Sequence, residues 1–107
     1  IIPTPDFERA LKALAKKHRS LKNDLLEFSK SLQMNPFQGV ELCPGIRKIR
    51  MAITSKGKGK SGGARVITYT VIATEAGGTV YLMGIYDKSD FSTVDISIIK
   101  EIVRSLE

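Results

Sequence analysis

Phe7, Ala10, Leu11 and Leu14 recur at the i, i+3, i+4, i+7 spacing of a helix with one buried face. Thr4 can cap that helix, Pro5 suits its first position, and Asp6 lies in the first turn, where the helix dipole favours an anion. Lys16-Lys17-His18-Arg19 closes it with positive charge. A second apolar stripe, Leu21, Leu25, Phe28 and Leu32, follows a cap at Ser20 and must end by Asn35, because Pro36 comes next. Pro36, Gly39, Pro44 and Gly45 mark the stretch from 36 to 45 as a loop. From Ile46 the period changes from 3.6 to 2: Ile49, Met51 and Ile53 alternate with Lys48, Arg50 and Ala52, a strand with one apolar and one largely cationic face.

Lys56-Gly57-Lys58-Gly59-Lys60-Ser61-Gly62-Gly63 is too glycine-rich for a helix and reads as a flexible tip. Residues 64–74, rich in Val, Ile, Thr and Tyr, predict a second long strand, and Ala76-Gly77-Gly78 turns the chain into a third over Thr79–Asp87. Ser92-x-x-Asp95 has the form of a capping box, and Ile99, Ile102, Val103 and Leu106 predict a last amphipathic helix. With Ile1-Ile2 as the end of a strand, the order is β-α-α-β-β-β-α. Short connections imply an antiparallel meander, hence an α+β fold with helices on one face of an antiparallel sheet and the other face free to work. Residues 1–107 form a single domain, since 107 residues suit one core.

Composition narrows the setting. Cys43 is the only cysteine, so an intrachain disulfide and a multi-cysteine zinc site are both excluded, and no metal or other cofactor is expected. Apolar runs fall short of the ~18 residues of a membrane span. The first residues lack a basic-then-apolar signal pattern, and the expectation is a cytoplasmic protein without a membrane partner.

Charge changes the picture more. The chain carries 17 Lys+Arg against 11 Asp+Glu, a net of +6, but the excess is local. Residues 1–40 hold seven basic and four acidic side chains, 41–75 seven and two, and 76–107 three and five. Between Glu41 and Glu75 there is no carboxylate, while Arg47, Lys48, Arg50, Lys56, Lys58, Lys60 and Arg65 fall within nineteen positions. A solvated face normally mixes signs, so this stretch points to a polyanion, with nucleic-acid phosphate the leading candidate.

Other chemistry is thin. Gly59-Lys60-Ser61 looks like the end of a phosphate-binding loop, but Thr54 stands where that motif needs glycine, and a strand follows instead of a helix. His18, the sole histidine, reads as a solvated helix end, and Cys43 has no neighbouring activator. Tyr69, Tyr81 and Tyr86 are strand residues, and Asp87 and Asp90 are weak candidates for paired acids. Any chemistry would fall mainly to Lys and Arg.

The ordered series Gly45-Ile46-Arg47-Lys48-Ile49-Arg50, the Lys/Gly loop, Gly63-Ala64-Arg65-Val66-Ile67-Thr68-Tyr69 and Val80 to Lys88 resembles the RelE/ParE superfamily of type II toxins, closest to its HigB-like branch. The resemblance spans essentially the whole chain and implies a RelE-like fold. It also implies a ribosome-dependent endoribonuclease that cuts mRNA in the A site and inhibits translation, with a cognate antitoxin protein, the ribosome and mRNA as partners. A homodimer is left open. In such toxins the ribose 2′-OH attacks the adjacent phosphate, and cationic side chains replace the histidines of ordinary ribonucleases. Preorganised cations can supply several kcal/mol to that transition state, and clustering disfavours each cation's charged form, drawing ammonium groups toward acid–base work.

By this resemblance Arg65 would stabilise the phosphate, Lys58 would be the central acid–base candidate of the loop, and Lys88 would be the basic residue after the last strand. Arg47, Lys48, Arg50, Lys56 and Lys60 would hold RNA. A base-stacking tyrosine found in RelE near the last helix has no counterpart among Phe91, Ser92, Thr93, Val94 and Asp95, which leaves the general base unassigned. Two alternatives share the implied fold or charge: a non-enzymatic ParE-like toxin acting on DNA gyrase, and a basic RNA-binding module.

Overall fold

Thr4 caps the first helix as its position predicts. In the computed structural model, which describes residues 1–57, 59–74, 77–89, 100, 101 and 104, its Oγ1 accepts from the Phe7 amide at 3.3 Å and donates to the Leu82 carbonyl at 2.8 Å. The cap thus ties α1 (Pro5–Ala15) to the sheet. Helix α2 (Leu21–Met34) follows a short turn. Ser20 precedes it without capping: its hydroxyl donates to Asp24 Oδ2 at 2.7 Å and accepts from the Ser55 amide at 2.9 Å. Its hydroxyl thus links the first turn of α2 to Ser55 instead of capping a free amide of the helix.

The sheet has five strands, β1 (Ile2–Pro3), β2 (Val40–Cys43), β3 (Ile46–Met51), β4 (Ala64–Thr74) and β5 (Gly77–Asp87), in the order β1-β5-β4-β3-β2. The α+β class stands, with two corrections. The sheet is mixed, because β1 runs parallel to β5 through Ile2↔Tyr81 and Pro3↔Leu82. Parallel neighbours need a crossover, and here the rest of the chain intervenes. The second correction is β2, which falls inside the stretch expected to be loop. Four residues between Gly39 and Pro44 carry too little pattern to show as a strand; pairing with β3 through Val40↔Lys48, Glu41↔Arg47 and Cys43↔Ile46 makes them one.

One core lies between the helices and the sheet: Phe7, Leu14, Leu21, Phe28 and Leu32 meet Ile49, Met51, Val66, Val80, Leu82 and Ile85. Both expected apolar stripes supply it. The opposite sheet face is less open than the sequence suggested, for Ile46, Ile67 and Met83 are buried there with Tyr69, Tyr81 and Tyr86 packed against them. The Tyr69 and Tyr81 rings stack with centroids 6.1 Å apart. The expected last helix lies largely outside the described residues, as do the Ser92-x-x-Asp95 box and Phe91. No helix among the described residues is long and apolar enough to cross a membrane.

The Lys/Gly segment begins as a 3₁₀ turn, Thr54–Lys56, anchored to α2. Asp24 accepts from the Thr54 hydroxyl and, at 2.9 Å, from its amide. Gly63 ends the segment with its backbone against β3, where a Cβ would sit 2.2 Å from the Met51 carbonyl oxygen. Only glycine permits that approach.

Candidate nucleic-acid interface

Alternation along β3 sends Ile49 and Met51 into the helix-side core and Lys48 and Arg50 to the other face. On β4, Arg65 stands directly opposite Arg50, and Tyr86 of β5 stands opposite Arg65. Facing arginines repel unless something anionic lies between or around them. Lys88 follows the end of β5, and its amide donates to the Gly63 carbonyl at 3.0 Å, joining the strand to the end of the Lys/Gly loop. The result is a cavity of about 420 Å³ lined by Lys48, Arg50, Lys60, Arg65 and Lys88, with no carboxylate among the described residues of its wall. Gly39 forms part of the rim at φ +81°, where a Cβ would lie 2.3 Å from the Lys48 carbonyl oxygen.

Arg65 is the innermost member, only 5% exposed. Its Nη1 donates to the carbonyls of Lys60 at 3.1 Å and Ala64 at 3.2 Å, and its Nη2 to that of Ser61 at 3.0 Å. The guanidinium therefore folds the loop back and presents Lys60 to the cavity. A guanidinium has five N–H donors, and these bonds engage three. Tyr86 beside it has its phenol pKa raised by burial, an effect the Arg65 charge opposes without overcoming. Among the described residues Lys48, Arg50, Lys60 and Lys88 form no ion pair.

Two other residues singled out from the sequence, Arg47 and Lys56, are not brought together with these. Arg47 belongs to the helix-side register of β3; it donates to the Phe37 carbonyl at 2.9 Å, pairs with Glu41 at 3.5 Å and lies 5.5 Å from the centre of the Phe37 ring. Lys56 is turned inward, donating to Asp87 Oδ1 at 2.6 Å and to the Ser89 hydroxyl at 3.0 Å. Lys58 lies outside the described residues.

His18 is the residue that sequence reasoning placed wrongly, and Asp87 is the partner that shows it. Neither is a solvated charge: Asp87 is buried, and His18 Nε2 lies 2.8 Å from its Oδ2. Burial alone would raise the Asp87 carboxyl, but hydrogen bonds from Lys56, the Ser89 amide and His18, with the Lys56 charge, hold it at about 2. This knot sits on the helix side, where Asp87 faces Ala64 of β4. No local pattern could have joined His18 to a partner 69 positions away. Among the described residues no three His, Cys, Asp or Glu side chains group as metal ligands. No protein-family profile matches the chain, and no solved structure matches it.

Proposed function

We propose that this chain is the toxin of a type II toxin–antitoxin pair of the RelE/HigB-like kind, a ribosome-dependent endoribonuclease that cuts mRNA and so stops translation. The observation that carries the reading is the convergence of Lys48, Arg50, Lys60, Arg65 and Lys88 on one cavity, with no carboxylate among the described residues of its wall. A phosphodiester in that cavity meets cations from β3, β4, the residue after β5 and the loop. Attack of the ribose 2′-OH on the adjacent phosphorus forms a new P–O bond and breaks the P–O5′ bond, leaving a 2′,3′-cyclic phosphate and a 5′-hydroxyl. The pentavalent state between them carries extra negative charge, which fixed ammonium and guanidinium groups stabilise more than they do the starting diester.

Lys60 and Lys88 line the cavity from the loop and from the end of β5, and take the proton-transfer and leaving-group roles. Arg65 supplies charge from beneath and holds the loop, and Lys48 and Arg50 seat neighbouring phosphates without reading sequence. An acidic segment of the cognate antitoxin would cover the same cations and block entry to the ribosome.

The test is primer extension on mRNA translated in vitro in the presence of the protein. Cuts at A-site codons are expected, falling by about a hundredfold in Lys60→Ala or Lys88→Ala. Arg65→Ala is the poorer probe, because it also frees the loop. Intact mRNA at protein levels that arrest growth would overturn the reading in favour of a non-enzymatic toxin acting on gyrase. RNA binding with neither cutting nor arrest would leave a simple RNA-binding module.

A further inference from the structure

A second cavity, about 300 Å³, opens beside the cationic one and shares Gln38, Arg50 and Lys60 with it. Its character differs. Phe28 and Met51 give it an apolar floor, and its rim is polar, with Asp24, Glu27, Ser31 and Gln38. Its volume is at the lower end of the range for small-molecule sites. A charged half joined to a half with an apolar floor and a hydrogen-bonding rim matches a nucleotide: phosphate on one side, flat heteroaromatic base on the other.

The rim also discriminates between bases. Both oxygens of Asp24 are engaged by Thr54 and Ser20, so this carboxylate is occupied by the fold. Glu27 is different: among the described residues it meets only Lys30, at 3.3 Å, in a pair whose side chains are 77% and 72% exposed, and such a pair is worth little and exchanges readily. Gln38 Nε2 donates to Ser31 Oγ at 2.9 Å, and an amide nitrogen carries a second N–H. The lining thus includes a carboxylate able to accept two adjacent hydrogen bonds, and donors from Gln38 and the Lys60 ammonium around the same cavity. Guanine alone presents two adjacent donors, N1–H and N2–H, beside the acceptor O6. Adenine and cytosine each offer one amino donor on that edge, and uracil places a single N–H between two acceptors.

From this we infer that the groove between α2 and β3 is a nucleobase subsite selective for guanine, with Glu27 and Gln38 as its specificity-determining residues. The inference rests on the reading that the adjoining cavity takes RNA phosphate. It is tested by fluorescence anisotropy of the whole chain with the RNA pentamers UUGUU, UUAUU, UUCUU and UUUUU. The guanine pentamer is expected to bind about tenfold more tightly than the others, a bidentate base contact being of that order. Glu27→Gln, an exposed and shape-conserving change, should bring the four affinities within about twofold of one another. Arg50→Ala should weaken all four, and Lys12→Ala none. Equal affinity of the wild-type protein for the four pentamers, or a preference that survives Glu27→Gln combined with Gln38→Ala, overturns the subsite while leaving the phosphate reading intact. Affinities that Arg50→Ala does not change, or no binding at all, overturn both.

Discussion

Asp87 accepts hydrogen bonds from Lys56, His18 and the Ser89 amide, and so joins the 3₁₀ turn, the junction between the helices and the end of β5. Removing its charge leaves the Lys56 ammonium, with a side chain only 12% exposed, without a counter-ion. Breaking one side of such a pair costs more than the pair itself contributes. Asp87→Asn should therefore lower stability by roughly 3 kcal/mol at pH 7, measured by urea unfolding. The pH dependence has a definite sign. The carboxyl is held at about 2 in the folded chain against an ordinary 3.8, so its contribution is complete above about 3.8 and disappears as pH falls through about 2. The gap between wild type and Asp87→Asn should close over that window; a gap unchanged at pH 2 would mean that shape rather than charge is responsible. None of this was visible in the one-dimensional pattern, where Asp87 was only a weak candidate for a paired acid. Strand alternation turns it to the helix side, away from the cavity that Lys88 lines.

The Lys/Gly segment teaches the same lesson at the scale of an element. Four glycines among residues 57–63 read as a flexible tip, and glycine does remove local stiffness. Yet Asp24 grips its start, Arg65 binds the carbonyls of Lys60 and Ser61, and the Lys88 amide binds that of Gly63. The start and end of the segment are thus tied to α2 and to the residue after β5 by bonds that local composition cannot encode, and Arg65 adds shorter-range ones. Arg65→Lys keeps the charge but replaces a planar fork with a single ammonium, which cannot span several carbonyls. Tryptic cleavage after Lys60 under native conditions should then accelerate about tenfold, the factor that a loss of about 1.4 kcal/mol in local opening produces. An unchanged rate would show that the loop is held without Arg65. The strand β2 is the complementary case, an element too short to announce itself and created by its pairing with β3.

For the whole molecule the relevant quantity is where the net +6 resides. The basic segment was legible as a run, and the structure divides it: Lys48, Arg50, Lys60 and Arg65 enter one cavity with Lys88, while Arg47 and Lys56 are bound elsewhere. If three to four phosphates are engaged, the logarithm of RNA affinity should fall against the logarithm of salt with a slope of about −2 to −3, and Lys48→Ala should reduce that slope by about 0.7. Lys12→Ala, in the groove between the helices, should leave it unaltered. Titration of a labelled pentamer across a potassium chloride series measures both; a slope near zero would place the binding energy outside these cations. The amino-acid order by itself determined the two helices, the three long strands, the helix-side core and the basic character of the segment, because periodicity and charge are local properties of neighbouring residues. Which basic residues converge, which are neutralised, how the edge strands pair and what orders the loop were decided only by the tertiary structure. Those outcomes depend on contacts between residues tens of positions apart, and on the face to which a strand's two-residue period assigns each side chain.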